Sequence, residues 1–169
     1  MADITTNQAP AVDKNTAMVN YLLTCTDIAG STLYFNFANI KNGITQFITL
    51  TQDKTIDVPF IDGSVLKRYS MTIISYLSIS DNPIVKVAGY ANENISDIAE
   101  VQTLIDWIQA QNNARNYPNF GTNCFVESIK TLTNNPVLDQ IDATKTPPLA
   151  KYSFTIQVDY IDSSEKIWT

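Results

Sequence analysis

A chain of 169 residues, 44% of them hydrophobic, is long enough for one domain with a sizeable core. Its net charge of −6, from 11 Lys and Arg against 17 Asp and Glu, opposes capture of nucleic acid or an anionic membrane, since phosphate contacts need clustered bases. Histidine is absent, which removes the commonest general base, the commonest metal ligand and every Ser–His or Cys–His nucleophile pair.

Residues 1–12 are rich in Ala, Thr, Asn and Pro and read as a flexible arm ahead of a single domain, residues 13–169. Residues 1–15 hold no apolar run, so no signal peptide is expected, and no stretch approaches the ~20 apolar residues of a membrane span. Asp13 or Asn15 caps a predicted helix running to about Cys25, with Ala17, Met18, Tyr21, Leu22 and Cys25 on one face. Asn42-Gly43 is a two-residue turn signal. It predicts a β-hairpin in which Phe37 faces Ile48 and Phe35 faces Leu50, with Tyr34 on the opposite face. A short strand is expected from about 55 to 61, then a turn at Asp62-Gly63.

The strand predicted over 65–79 points Tyr69, Met71, Ile73, Leu77 and Ile79 one way and Arg68, Ser70, Thr72, Tyr76 and Ser78 the other. A long helix follows from about Ser96 to Arg115, capped by Asn94 and Asp97. Its apolar stripe is Ile98, Val101, Leu104, Ile105 and Ile108, with Trp107 at the margin and Pro118 and Gly121 as stops. A further strand is expected over about 123–133. Residues 134–148, with Pro136, Pro147 and Pro148, read as a polar loop, long for a compact domain. The last strand, about 149–161, should bury Tyr152, Phe154, Ile156, Val158 and Tyr160.

Two of these strands nearly repeat one another. Leu66-Lys67-Arg68-Tyr69-Ser70-Met71-Thr72-Ile73 returns as Leu149-Ala150-Lys151-Tyr152-Ser153-Phe154-Thr155-Ile156. Strands on one core converge on such patterns, and the pair is expected in one sheet. The predicted fold class is α+β: a mainly antiparallel sheet with a long helix packed on it, an N-terminal helix and a β-hairpin.

Little chemistry is visible. There is no glycine-rich phosphate cradle. Asp97 with Glu100, Asp139 with Asp142 and Asp159 with Asp162 read as solvated surface acids, and the Asp139, Asp142, Asn134 and Asn135 group lacks the spacing and glycine of an EF-hand. No catalytic residue, metal or cofactor is expected. Cys25 and Cys124 lie in apolar patterns and are expected as buried free thiols.

Four segments taken in order, residues 14–23, 61–70, 113–121 and 148–153, resemble a family of proteins from bacteriophages and prophages of Gram-positive bacteria, the minor capsid or tail-terminator proteins of the neck. The likeness covers roughly residues 14–168. It implies a tail-terminator-like fold and a homohexameric ring at the head-proximal end of a phage tail, ending tube polymerisation and joining tail to head. Such a protein is assembled in the host cytoplasm and located in the virion. Implied partners are further copies of the chain, the tail tube protein, the head–tail connector or stopper, and sheath protein if the tail is contractile. The resemblance also implies that DNA passes through the ring without specific binding and that no membrane is involved. Other neck proteins, such as head-completion or stopper proteins, and an intracellular adaptor outside the virion are the alternatives. Candidate interface residues are Tyr34, Phe47, Pro136, Pro147 and Trp168, large or rigid groups at expected margins.

Overall fold

The computed structural model describes residues 13–26, 33–35, 45–51, 58–78, 93–144, 146 and 148–164. The elements run α1 (Lys14–Leu22), β1 (Leu33–Phe35), β2 (Thr45–Thr51), β3 (Val58–Pro59), β4 (Val65–Ser78), α2 (Glu93–Asn113), β5 (Cys124–Thr131), β6 (Val137–Asp142) and β7 (Leu149–Asp162). The architecture is α+β, with a mainly antiparallel sheet and two helices. The sheet order is β1-β2-β4-β7-β5, with β3 beside β4 and β6 beside β7.

The two 14-residue strands that carry the repeat form the centre of the sheet, paired antiparallel without a break from Val65↔Asp162 to Ser78↔Leu149. Their alternation buries Tyr69, Met71, Ile73 and Leu77 from β4, and Ala150, Phe154, Ile156, Val158 and Tyr160 from β7. Val101, Leu104, Ile105 and Ile108 of α2 enter the same core, as do Met18, Tyr21, Leu22 and Cys25 from α1 and its following turn. Tyr152 is only half-buried, against expectation, although its register partner Ser75 is 1% exposed. Burial along this face is therefore not uniform toward the Leu149 end of β7.

α1 begins where the capping signal placed it, with an Asp13 carboxylate oxygen accepting the N–H of Asn15. It ends at Leu22, before the expected Cys25, and a turn closed by Cys25 N–H donating to Leu22 O carries the thiol inward. α2 starts at Glu93, so Asn94 lies inside its first turn and not at the predicted cap. It ends ahead of the predicted proline stop. Arg115 takes φ 55°, its N–H donates to Asn112 O and the Asn116 N–H to Gln111 O. That pair of bonds is the Schellman arrangement, in which the last carbonyls are satisfied by a residue in the left-handed region. Beyond it Phe120 lies edge-on to Tyr69 and Tyr160, at centroid distances of 5.5 and 5.4 Å, pinning the connection to the core.

Two expectations are overturned. β1 pairs with β2 in parallel, with Phe35 opposite Ile48, so the strands do not form the hairpin that set Phe35 against Leu50. β2 instead takes its antiparallel ladder from β4, from Thr45↔Tyr76 to Thr51↔Ser70. A turn signal acts on two residues, whereas a strand's partner is decided by which distant strand offers a matching ladder; Asn42, Gly43 and Phe37 themselves lie outside the described residues. The second correction concerns residues 134–148. They contain β6, paired from Val137↔Ser153 to Asp142↔Leu149 with an irregularity between Leu138 and Gln140. The free edge of β7 recruits this segment despite its prolines, because Pro136 precedes the strand and Pro148 ends ahead of β7.

β5 and β6 follow one another along the edge of β7 that β4 leaves open. The sheet thus has β1 at one lateral end and the β5–β6 line at the other. The arm, residues 1–12, and the expected strand end at Ile79 fall outside the described residues, and only Val58–Pro59 of the expected 55–61 strand is seen.

Candidate interaction surface

The sheet face turned away from the helices is polar at its middle and apolar at one end. Arg68 and Asp159 are register partners there, and the guanidinium grips the carboxylate with two bonds, Nε to Oδ1 at 2.6 Å and Nη2 to Oδ2 at 3.0 Å. Lys130 Nζ adds a 3.4 Å contact to Asp159 Oδ2. The Arg68 hydrogen bonds hold the Asp159 carboxyl below its ordinary range against the opposing effect of burial. Thr72 and Thr155 pair through their hydroxyls further along.

Toward the Val65 end, the register aligns Leu66, Ile161 and Phe125 across three strands, and Phe125 is 60% exposed. The neighbouring β3–β4 turn is built as the sequence required. Gly63 has φ 84°, and an Asp62 carboxylate oxygen accepts from both the N–H and the hydroxyl of Ser64. This turn holds Ile61 fully in solvent, with Phe60 exposed beside it.

A second exposed apolar group follows the β5–β6 edge: Leu132, Val137, Leu138 and Ile141. The side chain of Asn112, from α2, accepts the N–H of Ile129 at 3.0 Å and so occupies part of the outer edge of β5. Between them lies an open cleft of about 350 Å³, lined by Gln109, Asn112, Asn113, Lys130, Thr131 and Asn134 around Ile129.

Several carboxylates are held in ion pairs. On the helix side, Lys67 Nζ meets Asp162 Oδ2 at 2.8 Å, and Lys151 Nζ meets Asp139 Oδ2 at 3.5 Å at the β6 edge. Burial pushes the Asp162 carboxyl up, but hydrogen bonds from Lys67 and Ser164 outweigh it and hold it at about 2. Burial, with the Asp162 charge, pushes the Cys124 thiol up, away from the reactive thiolate. Cys25 is buried and Cys124 only half so, and neither is in a disulfide. Among the described residues, no three His, Cys, Asp or Glu come together as metal ligands. No described helix is long and apolar enough to cross a membrane.

Of the residues singled out from sequence, Tyr34 and Phe47 are brought together as register partners of β1 and β2. Pro136 is half-buried just before β6; Pro147 and Trp168 lie outside the described residues. Sequence reasoning missed Phe60, Ile61, Phe125 and the β6 side chains. The apolar Val137, Leu138 and Ile141, spaced by polar residues within the supposed loop, were the signal for the last group.

Known protein-family models give no match to this chain, and neither do curated protein sequences.

Proposed function

We propose that this chain is a structural protein of the phage neck, a tail terminator that forms a homohexameric ring at the head-proximal end of the tail. The ordered likeness of residues 14–23, 61–70, 113–121 and 148–153 to that family motivates the reading. The observation that carries it furthest is the exposure of apolar side chains on an otherwise well-packed, acidic body. Ile61, Phe125, Leu138 and Ile141 are 101%, 60%, 47% and 52% exposed. Large side chains at such margins are anchors for protein partners, and the excess negative charge disfavours nucleic acid and membrane as occupants.

In this role no bond is made or broken. The chain stops tube growth by covering the last tube ring and offers its other side to the head connector. The acidic body lets DNA pass without capture. The test is tail assembly in phage lacking this chain. Tails are expected to be over-long or unable to join heads, and isolated complete tails should contain the protein. Tails of normal length that still join heads would overturn the terminator role.

A further inference from the structure

We propose that β6 is a self-recognising edge: two copies of this chain pair their β6 strands antiparallel about a two-fold axis, with Leu138 of each beside Ile141 of the other. The contact goes beyond the ring reading and does not rest on it, since a two-fold contact closes with two copies. It is a property of the free chain.

Among the described residues β6 is paired in the sheet with β7 alone, and Val137 to Ile141 are exposed. Pairing on one side leaves the backbone N–H and C=O groups of the other side as a template for an added strand. The irregularity between Leu138 and Gln140 sets which strand fits. In an unbroken strand, residues three apart lie on opposite faces. Here Asp139 is the extra residue, so Leu138 and Ile141 both register with helix-side residues of β7, Tyr152 and Ala150. Val137, Gln140 and Asp142 register with Ser153, Lys151 and Leu149 on the other side. The Asp139 carboxylate turns to that side too, 3.5 Å from Lys151 Nζ.

That order of faces reads the same from either end. Around a two-fold axis between Asp139 and Gln140, Leu138 of one copy meets Ile141 of the other, Asp139 meets Gln140, and Val137 meets Asp142. Every pair then joins residues of one face. A shift of one residue either way sets Leu138 against Gln140 or Asp142, which lie on the opposite face, so the register is specified. The two apolar side chains, 47% and 52% exposed, cover one another at both ends of the pairing. Charge agrees with the same register, because neither acid faces an acid. The Asp139 carboxylate, already held by Lys151, meets an amide that can donate to it. Asp142 is tied into its own turn, where it accepts the Thr144 N–H at 2.9 Å. A second copy therefore fits this edge more closely than an unrelated strand, which would have to reproduce the face displaced at Asp139.

The test uses the full chain, with native mass across a concentration series, thermal melting and oxidative cross-linking as readouts. The parent should pass from monomer to dimer as its concentration rises. Leu138→Lys with Ile141→Lys sets cations against one another at both ends of the pairing and should weaken the dimer by about tenfold or more. Both side chains are about half exposed, so this double variant should keep a cooperative melt. Leu138→Cys and Ile141→Cys read the register. An oxidised mixture of these two single variants should cross-link well above either variant alone, and above the parent with its Cys25 and Cys124. The cysteine mixture decides the matter if the lysines abolish the melt. A parent that stays monomeric at its highest soluble concentration overturns the proposal. So does a folded double variant that dimerises like the parent, or a mixture that cross-links no better than its components. Absence of the dimer leaves the terminator reading standing, and tails of normal length without this chain leave the dimer standing, so the two failures are distinguishable.

Discussion

Thr72 Oγ1 and Thr155 Oγ1 lie 3.0 Å apart, on register partners of β4 and β7. The two threonines are also equivalent positions of the repeated segment, since each stands seventh in its copy. A local two-fold therefore runs between them: Met71 faces Ile156 and Ile73 faces Phe154. The repeat is thus the sequence image of one antiparallel ladder. The two-fold does not extend to burial, because Tyr69 is buried and its counterpart Tyr152 is half-exposed.

The threonine pair should behave as a coupled unit. Thr72→Val or Thr155→Val alone leaves one part-buried hydroxyl without its partner and is expected to cost about 1 kcal/mol. The double variant should cost less than the sum of the two, by about 0.5 kcal/mol or more. Urea denaturation of all four proteins measures this, and strict additivity would remove the coupling.

Ile105 is 0% exposed at the centre of the α2 stripe. Ile105→Asp puts an unpaired carboxylate into the core and should abolish cooperative folding. Ile105→Ala should cost about 2–4 kcal/mol, with the fold kept. Near-UV circular dichroism with a denaturant titration checks both. A folded Asp variant as stable as the parent would remove α2 from the core.

Arg115 occupies a left-handed position that glycine usually fills. Arg115→Gly relieves the contact of its Cβ with the backbone, partly offset by the greater freedom of glycine in the unfolded chain. A net gain of about 0.5 kcal/mol is expected. The check is the denaturation midpoint at an unchanged slope.

Acid should weaken the protein through Asp162. Its folded-state pKa, at about 2, lies below the ordinary 3.8, so the contribution is fully present above about pH 4 and is lost as the pH falls toward 2. Solvent around the pair reduces the effect to about 1 kcal/mol. Asp159 adds loss in the same direction, since the Arg68 hydrogen bonds lower its pKa too. Asp162→Asn should flatten the pH dependence of the melting temperature between pH 4 and 2, and an unchanged profile would count against the Lys67 pairing.

The sequence by itself determined the two long strands, the face each buries, the α2 stripe, the Asp13 cap and the Asp62-Gly63 turn. Each is written in a local code, an alternation or a spacing that the backbone reads over a few residues. It also determined the acidic charge and the absence of histidine. Only the tertiary structure decided strand partners. It joined β1 to β2 in parallel, drew β6 out of an apparent loop, and ended α2 at an arginine before the proline stop. A pairing depends on which edge is left open elsewhere in the sheet, and no local window contains that information. The exposed surface at β6 arises in the same way: Leu138 and Ile141 are apolar in the sequence, but their strand takes its ladder from β7, which leaves both side chains about half exposed.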